Sequence, residues 1–228
     1  MRLTFPPVRA YEPRWLPDGS RIAFMDVRPD HPRRIRLISA AGGESPKPLQ
    51  APGSDDSYGD PTWTPDGKSI VFVRSAAADK RTHAIYSKNL DTGNLTLIPD
   101  SGQAYSPRLS PDGRFISALQ VGGKALMLFD LKEDKWSTLA EGEPLSFNEW
   151  SRDNRYAYWR AIHGGSGHLM RRRIDDRVVE DVLDLKDFPA LVDDFANWIG
   201  LAPDGAVLLM RDRSIQEIYA LDLGFAKR

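Results

Sequence analysis

A short turn sequence, Pro-Asp-Gly, recurs along the chain and constrains its fold more than any other feature. Proline presets φ at the first corner of a turn, aspartate accepts hydrogen bonds from nearby amides, and glycine takes positive φ without strain. Successive aspartates of these turns are 48, 46, 41 and 51 residues apart, so one unit repeats along the whole chain. The turns occupy residues 17–19, 65–67, 111–113 and 203–205, with a degenerate copy, Arg152-Asp153-Asn154, at 152–154.

The segments around each turn also repeat and have the character of β-strands. A short segment that carries a tryptophan or leucine precedes each turn, and a run such as Ile70-Val71-Phe72 follows it. Two further short strands complete most units, and four antiparallel strands every 40–50 residues or so are typical of a β-propeller blade. We therefore predict an all-β propeller of about five four-stranded blades in a single domain over 1–228. The repeats lie at approximately 11–50, 58–98, 105–139, 147–183 and 196–223.

The two ends of the chain fit a closed ring. The fifth unit has room for three strands, the last of them Ile218 to Leu223, whereas Leu3 to Phe5 forms a strand without a blade. Pairing these two segments would hide sheet edges that otherwise invite aggregation. We expect Leu3 to Phe5 to close the last blade. The alternative, that the five units belong to a larger propeller, stays open.

The repeat resembles that of a known family. Residues 13–24 read PRWLPDGSRIAF and residues 61–72 read PTWTPDGKSIVF, which is similar to the WD-like (PD40) repeat of TolB-type propellers. The ending QEIYALDL, at 216–223, resembles the end of propellers that terminate bacterial multidomain regulators. The resemblance implies an interaction or sensing module in a periplasmic or extracytoplasmic setting. It implies no particular activity, because this fold supports many functions, and the chain shows no winged helix, kinase glycine loop or TolB N-terminal domain.

Composition excludes several classes of function. The 31 basic and 32 acidic side chains leave a formal net charge of −1, which gives no support for a nucleic-acid partner. The absence of cysteine excludes disulfides, thiolate metal sites and cysteine nucleophiles. No apolar stretch reaches the roughly 18 residues that membrane insertion needs, and the first residues show no targeting signal.

Candidate catalytic and metal-binding groups are few. His163 and His168 bracket a glycine-rich turn, but no carboxylate falls between them. The acidic pairs at 55–56, 175–176 and 193–194 match no calcium loop, and strand alternation divides the arginines at 171–173 between two faces. We therefore expect no catalytic residue, no metal and no cofactor. An enzyme with a site at the channel mouth, namely a propeller hydrolase, lactonase or lyase, is the alternative, and a purely structural spacer is a third possibility.

Strand alternation points one side chain per unit towards the central channel. If the tryptophan or leucine before each turn packs between blades, its preceding neighbour faces the other way. These neighbours could grip a peptide carboxylate or another anion, since arginine binds carboxylates through paired hydrogen bonds. Lining of a water-filled channel, with internal ion pairs, is the alternative. The predicted ligand- or partner-binding residues are Arg14, Thr62, Arg108 and Glu149, with Gly200 at the fifth position, and the expected partner is a protein or peptide.

Overall fold

A computed structural model describes residues 1–77, 79–142, 144–188, 198–202 and 204–211. All regular structure in these residues is β, and no helix among them is long and apolar enough to cross a membrane. The strands form four antiparallel sheets of four strands each and one sheet of two strands. The all-β propeller predicted from the repeat is therefore confirmed, although the number of complete blades is not.

Each four-stranded sheet is one repeat of the sequence. Blade 1 contains β1 (Ala10–Trp15), β2 (Arg21–Asp26), β3 (Arg34–Ser39) and β4 (Lys47–Pro48). Blade 2 contains β5 (Ser57–Trp63), β6 (Ser69–Ala76), β7 (Asp79–Asn89) and β8 (Leu95–Leu97). Blade 3 contains β9 (Ala104–Leu109), β10 (Phe115–Gln120), β11 (Ala125–Asp130) and β12 (Lys135–Glu141). Blade 4 contains β13 (Leu145–Trp150), β14 (Tyr156–His163), β15 (Ser166–Arg173) and β16 (Val179–Asp184).

The described part of the fifth repeat is a two-stranded sheet, β17 (Ile199–Leu201) and β18 (Val207–Leu209). The prediction of five four-stranded blades is thus corrected to four complete blades among the described residues. The predicted strand from Ile218 to Leu223 lies outside these residues. Residues 1–9 contain no strand, so Leu3 to Phe5 is not extended in a sheet as expected. Pro6 and Pro7 follow that segment and have no amide hydrogen to donate to a sheet. Its pairing with the last blade stays a prediction.

The recurrent turns join the first and second strands of every repeat. The glycine amide of each intact turn donates to a carbonyl three residues earlier, as Gly67 does to Thr64 at 2.8 Å. The φ of Gly67 is 68°, and Asn154, which replaces glycine in the degenerate copy, has a φ of 60°. Asparagine tolerates this left-handed region better than most residues with side chains. The fourth turn therefore keeps its geometry despite its changed sequence.

Apolar clusters fill the spaces between neighbouring blades. Trp63, for example, lies in a cluster that joins Ala23 and Ile35 of blade 1 to Ile70 and Phe72 of blade 2. The first strands β1, β5, β9, β13 and β17 contact one another in this order. They are therefore the inner strands that surround the channel, and each repeat contributes one inner strand to it.

Candidate functional site

A β-bulge interrupts each of the four inner strands of the complete blades at the same repeat position. The pairing register shifts there, and one residue other than glycine adopts a left-handed conformation with positive φ. Such a conformation is costly for residues other than glycine, and bulges often re-aim a side chain. The bulge occurs in four successive repeats and is therefore a regular feature of the repeating unit. The residues are Glu12 (φ 47°), Asp60 (φ 53°), Ser106 (φ 52°) and Phe147 (φ 40°).

An ion pair between blades 1 and 3 crosses the channel. Arg108 Nη2 donates to Glu12 Oε2 at 2.9 Å, and Arg108 Nη1 donates to the carbonyl of Pro107 at 2.9 Å. The two side chains are only 2% and 5% exposed. Blade 2 lies between blades 1 and 3, so the contact between Arg108 and Glu12 spans the channel and blocks it at the height of these side chains. The pair is sealed from solvent.

A second ion pair joins blades 1 and 4 and is partly open to solvent. Arg14 Nη1 donates to Glu149 Oε2 at 2.7 Å, with the side chains 21% and 18% exposed. Burial acts to raise the pKa of Glu149, but the positive charges of Arg14 and Arg108 outweigh it and hold the pKa below its usual value. Glu149 therefore stays ionised at neutral pH. This pair is the accessible one of the two.

Asp60 is a third acidic side chain inside the channel. Its Oδ2 accepts the backbone N–H of Ser106 at 3.1 Å. Burial, followed by repulsion from Glu12, raises the pKa of Asp60 to about 6, although Arg108 acts in the opposite direction. The interior thus holds two carboxylates, Glu12 and Asp60, of which Glu12 binds Arg108, and the charge of Arg14 also acts on both acids. A buried charge of this kind is stable only with a close partner of opposite charge.

Two tryptophans attach their blades to the backbone of these arginines. Trp63 Nε1 donates to the Arg14 carbonyl at 3.0 Å, and Trp150 Nε1 donates to the Arg108 carbonyl at 3.0 Å. Trp63 and Trp150 are 8% and 4% exposed, as expected for residues packed between blades. Trp15, at the same position of blade 1, is 60% exposed. The equivalent tryptophans pack against the preceding blade, and no blade is described before blade 1, so Trp15 is left at the surface of the described residues.

Trp15 borders a groove at the end of the channel that carries the Pro-Asp-Gly turns. The groove has a volume of about 310 Å³, and three prolines, two tryptophans and Arg14 are among its walls. We call it the turn-face groove. It is lined by Arg14, Trp15, Pro17, Thr62, Trp63, Pro65, Leu109, Ser110 and Pro111.

The aspartates of the turns accept hydrogen bonds within their own turns and are not available to bind a ligand in this groove. Asp66 Oδ1 accepts the Thr64 hydroxyl at 2.6 Å and the Lys68 amide at 3.0 Å, both inside its own turn. The hydrogen bond from Thr64 is the largest effect that lowers the pKa of Asp66. Asp153 repeats this arrangement with Ser151 and Arg155. The recurrent aspartates therefore stabilise the turns.

The predicted binding residues have different environments. Arg14 and Glu149 are brought together, and Arg14 lines the groove. Thr62 also lines the groove, where its hydroxyl lies 3.4 Å from the Leu109 amide that donates to it. Arg108 is 2% exposed and bound to Glu12. For Arg108 the structure therefore matches the alternative interpretation, in which the inward-facing residues form internal ion pairs. Ligand binding by these four residues stays a prediction.

Packing explains why glycine occupies position 200, the fifth of the predicted inward-facing positions. A Cβ atom there would lie 2.4 Å from the ring of Trp198, so a larger residue would displace that ring.

Sequence reasoning missed Glu12 and Asp60, which lie two residues before Arg14 and Thr62. Alternation places residues two apart on one face of a regular strand, but a bulge interrupts the alternation between these positions, so the rule that selected Arg14 and Thr62 does not apply to Glu12 and Asp60. The acid-Pro dipeptides Glu12-Pro13 and Asp60-Pro61, at one repeat position, were the available signal. The bulge that turns these side chains inward has no comparable signal in the sequence.

The paired histidines lie elsewhere, on blade 4. The rings of His163 and His168 meet edge to face with centroids 5.7 Å apart, and His168 Nδ1 lies 2.8 Å from Asp181 Oδ2. Within the described residues, no three His, Cys, Asp or Glu side chains are grouped so that they could hold a metal ion.

The chain is similar to one family along most of its length. A family model described as the TolB beta propeller domain (PD40) matches residues 5–189. The uncharacterized peptidase YuxL of Bacillus subtilis is 38% identical over 69 residues, 29% of this chain and 10% of that protein. The uncharacterized protein Atu1656 of Agrobacterium fabrum is 23% identical over 188 residues, 81% of this chain and 62% of that protein. The chain thus spans less than two thirds of either relative.

Solved structures of several functional classes share the fold. TolB from Acinetobacter baumannii superposes with a TM-score of 0.68 at 20% identity, over 87% of this chain and 47% of that one. An oligogalacturonate lyase in complex with manganese gives 0.57 at 18% identity, over 71% and 47%. A puromycin hydrolase gives 0.60 at 14% identity, over 91% and 34%. At such identities the likeness shows the fold alone.

Proposed function

Since the chain belongs to the TolB β-propeller domain family, we propose that it is a non-catalytic module that binds a protein or peptide partner through its turn-face groove. The observation that carries the proposal is the exposure of Trp15 beside the accessible ion pair of Arg14 and Glu149. Exposed tryptophan and arginine are the residues that most often dominate binding at protein interfaces. The groove combines both with a wall of prolines.

The chemistry of the groove suits a short extended segment that carries both apolar side chains and a carboxylate. Trp15, Pro17 and Pro65 present rigid apolar surface, which loses little conformational entropy when a partner binds. Arg14 lies at the channel end of the groove with one nitrogen bound to Glu149. A carboxylate of the partner would compete with Glu149 for this guanidinium or share it. Arg108 takes no part because it is sealed behind Glu12.

The setting of the module is part of the proposal. The chain spans 47% of the TolB structure and 62% of the Agrobacterium relative. We place it in a larger bacterial protein with a sensing or regulatory role in an extracytoplasmic compartment, as the family resemblance implies.

A selected peptide tests the groove directly. A library of random 12-residue peptides displayed on phage would be panned against the full chain, and the affinity of one enriched synthetic peptide measured by fluorescence polarisation. We expect Trp15→Ala to weaken binding at least tenfold and Arg14→Lys at least fivefold, because the latter keeps the charge but loses the planar fork. Leu97→Ala is the matched control, since Leu97 is 48% exposed on outer strand β8 and should not matter. Equal affinities for Trp15→Ala and Leu97→Ala would refute the groove as the binding site.

The alternative is a propeller enzyme with a site at the channel mouth, a role suggested by the lyase and the hydrolase that share the fold. Incubation of the full chain with oligogalacturonate and manganese, or with puromycin, tests it. Turnover that Glu149→Gln abolishes would contradict the non-catalytic role.

A further inference from the structure

A small basic pocket lies on blade 1, at the end of the blade opposite the Pro-Asp-Gly turn. It forms where β2 ends and β3 begins, and it has a volume of about 110 Å³. A water molecule takes up about 30 Å³ in the liquid, so the pocket has room for three or four waters or one small polyatomic ion. We call it the arginine pocket. It is lined by Asp26, Arg28, His31, Pro32, Arg34 and Arg36.

Asp26 holds two of the arginines in fixed positions. Arg28 donates to it through Nε at 3.1 Å and Nη2 at 2.5 Å, and Arg36 donates through Nε at 2.7 Å. The Arg9 amide donates to the other carboxylate oxygen at 3.1 Å. Burial acts to raise the pKa of Asp26, but the hydrogen bonds from Arg28, Arg9 and Arg36 overcome it and lower the pKa to about 2. Asp26 is therefore an ionised, fully occupied acceptor that is 1% exposed.

The arginines keep donors that Asp26 does not use. Arg28 bonds through Nε and Nη2, which leaves Nη1, and Arg36 bonds through Nε to Asp26 and Nη1 to the Pro46 carbonyl, which leaves Nη2. The Arg34 side chain is half-buried and forms no hydrogen bond or ion pair with any side chain that the structure describes, although its charge acts on Asp56 of blade 2. Within the lining, three guanidinium groups face one carboxylate, so these four groups carry a net charge of +2.

We propose that the arginine pocket binds a phosphate group, either as inorganic phosphate or as the terminal group of a phosphomonoester. Guanidinium groups in fixed orientations match the oxygen geometry of phosphate, and the dianion would balance the +2 charge of the lining. Asp26 preorganises the site, because two of the three arginines need no reorientation before the anion enters. The site lies at the opposite end of blade 1 from the turn-face groove, so it is independent of the proposed peptide binding.

Titration of the full chain with inorganic phosphate tests the proposal. Isothermal titration calorimetry at pH 7.5 and low ionic strength should show saturable binding of one phosphate. Arg34→Gln should weaken this binding at least fivefold, and Arg34→Lys should weaken it less because it keeps the charge. Arg152→Gln is the matched control, since Arg152 is an exposed arginine in the turn of blade 4, and it should bind phosphate as the unchanged chain does. Circular dichroism would show that each variant is folded.

Two further titrations identify the anion. Acetate at equal ionic strength should fail to displace phosphate, because a flat monoanion uses fewer donors. Tighter binding of phosphoserine than of inorganic phosphate would indicate a phosphomonoester as the source, and the reverse order would indicate free phosphate. Absence of saturable phosphate binding, equal binding by Arg34→Gln and Arg152→Gln, or equal displacement by acetate would each overturn the proposal.

Discussion

Asp60 is a carboxyl group whose burial disfavours its charged form. Its carboxylate is enclosed by the inner strands, with Glu12 nearby and Arg108 as the counter-charge that Glu12 already binds. Arg108 and Arg14 both act on Asp60, but Arg108 is already bound to Glu12 and Arg14 to Glu149, so Asp60 is left without an ion-pair partner of its own. The pKa of Asp60 is therefore raised from 3.8 to about 6 by burial and by Glu12, so the folded protein holds this proton more tightly than the unfolded chain does.

The raised pKa predicts how Asp60 affects stability. A carboxyl group with a higher pKa in the folded state stabilises the fold fully below its unfolded pKa, and this contribution is lost as the pH rises through the folded pKa. The contribution of Asp60 is thus present near pH 4 and lost above about pH 6. We expect Asp60→Asn, which keeps an oxygen acceptor for the Ser106 amide, to be more stable than the unchanged chain at pH 7.5 by about 3 kcal/mol.

Urea unfolding of both proteins at pH 4.5 and pH 7.5 checks this expectation. The difference in the free energy of unfolding should be about 1 kcal/mol at the lower pH and about 3 kcal/mol at the higher one. A difference that is the same at both values would show that Asp60 does not titrate in this range.

At the scale of the strand, the features that the sequence predicts are those that neighbouring residues determine, namely the turns and the strands that flank them. The turn residues and the β-branched and aromatic run Ile70-Val71-Phe72 are local signals, and the blades begin and end within a few residues of the predicted repeats. The inward position of Glu12 depends on a bulge, whose left-handed φ is imposed by packing across the channel. The segment from Leu3 to Phe5 has the composition of a strand, but composition alone does not supply a partner strand for it.

The repeated tryptophan gives an internally controlled prediction. Trp63 is buried between blades 1 and 2 and donates to the Arg14 carbonyl, whereas Trp15 occupies the same repeat position at the surface. Trp63→Ala should lower the free energy of unfolding by about 3–5 kcal/mol, as for other buried aromatic residues. Trp15→Ala should change it by less than about 0.5 kcal/mol, as is usual at the surface. Guanidinium-induced unfolding measures both, and similar losses would mean that Trp15 is buried in solution.

At the scale of the whole molecule, blade 1 has one face without a described neighbouring blade. Ile22 and Phe24 on this face correspond in the repeat to Ile70 and Phe72, which pack against blade 1 from blade 2. Ile22 and Phe24 are nevertheless 8% and 2% exposed, because the N-terminal segment packs over them. Leu3 and Val8 belong to that apolar cluster. The N-terminal segment therefore covers blade 1 as a neighbouring blade covers the others.

A charge in this cover should expose the face beneath it. Leu3→Asp places a carboxylate against Ile22 and Phe24, and we expect a loss of about 2 kcal/mol in the free energy of unfolding. Binding of the dye ANS should rise at the same time, since apolar surface becomes accessible. Phe5→Asp is the control, because Phe5 is 61% exposed in the same segment and should alter neither measurement. Unchanged stability of Leu3→Asp would show that this segment does not cover blade 1 in solution.

The two cross-channel ion pairs set an order for events during synthesis of the chain. Arg108 lies 96 residues after Glu12, and Glu149 lies 135 residues after Arg14, so neither pair can form between neighbouring parts of the emerging polypeptide. Chains fold from their N-terminal end as they are made, and contacts between distant residues form late. Glu149, the acid that binds Arg14, is therefore made only with the fourth blade, whereas Glu12 and Asp60, whose charges also act on Arg14, belong to blades 1 and 2. A nascent chain of three blades already contains every residue that lines the turn-face groove but lacks Glu149, the acid that binds Arg14, so this ion pair forms only after the fourth blade has been made.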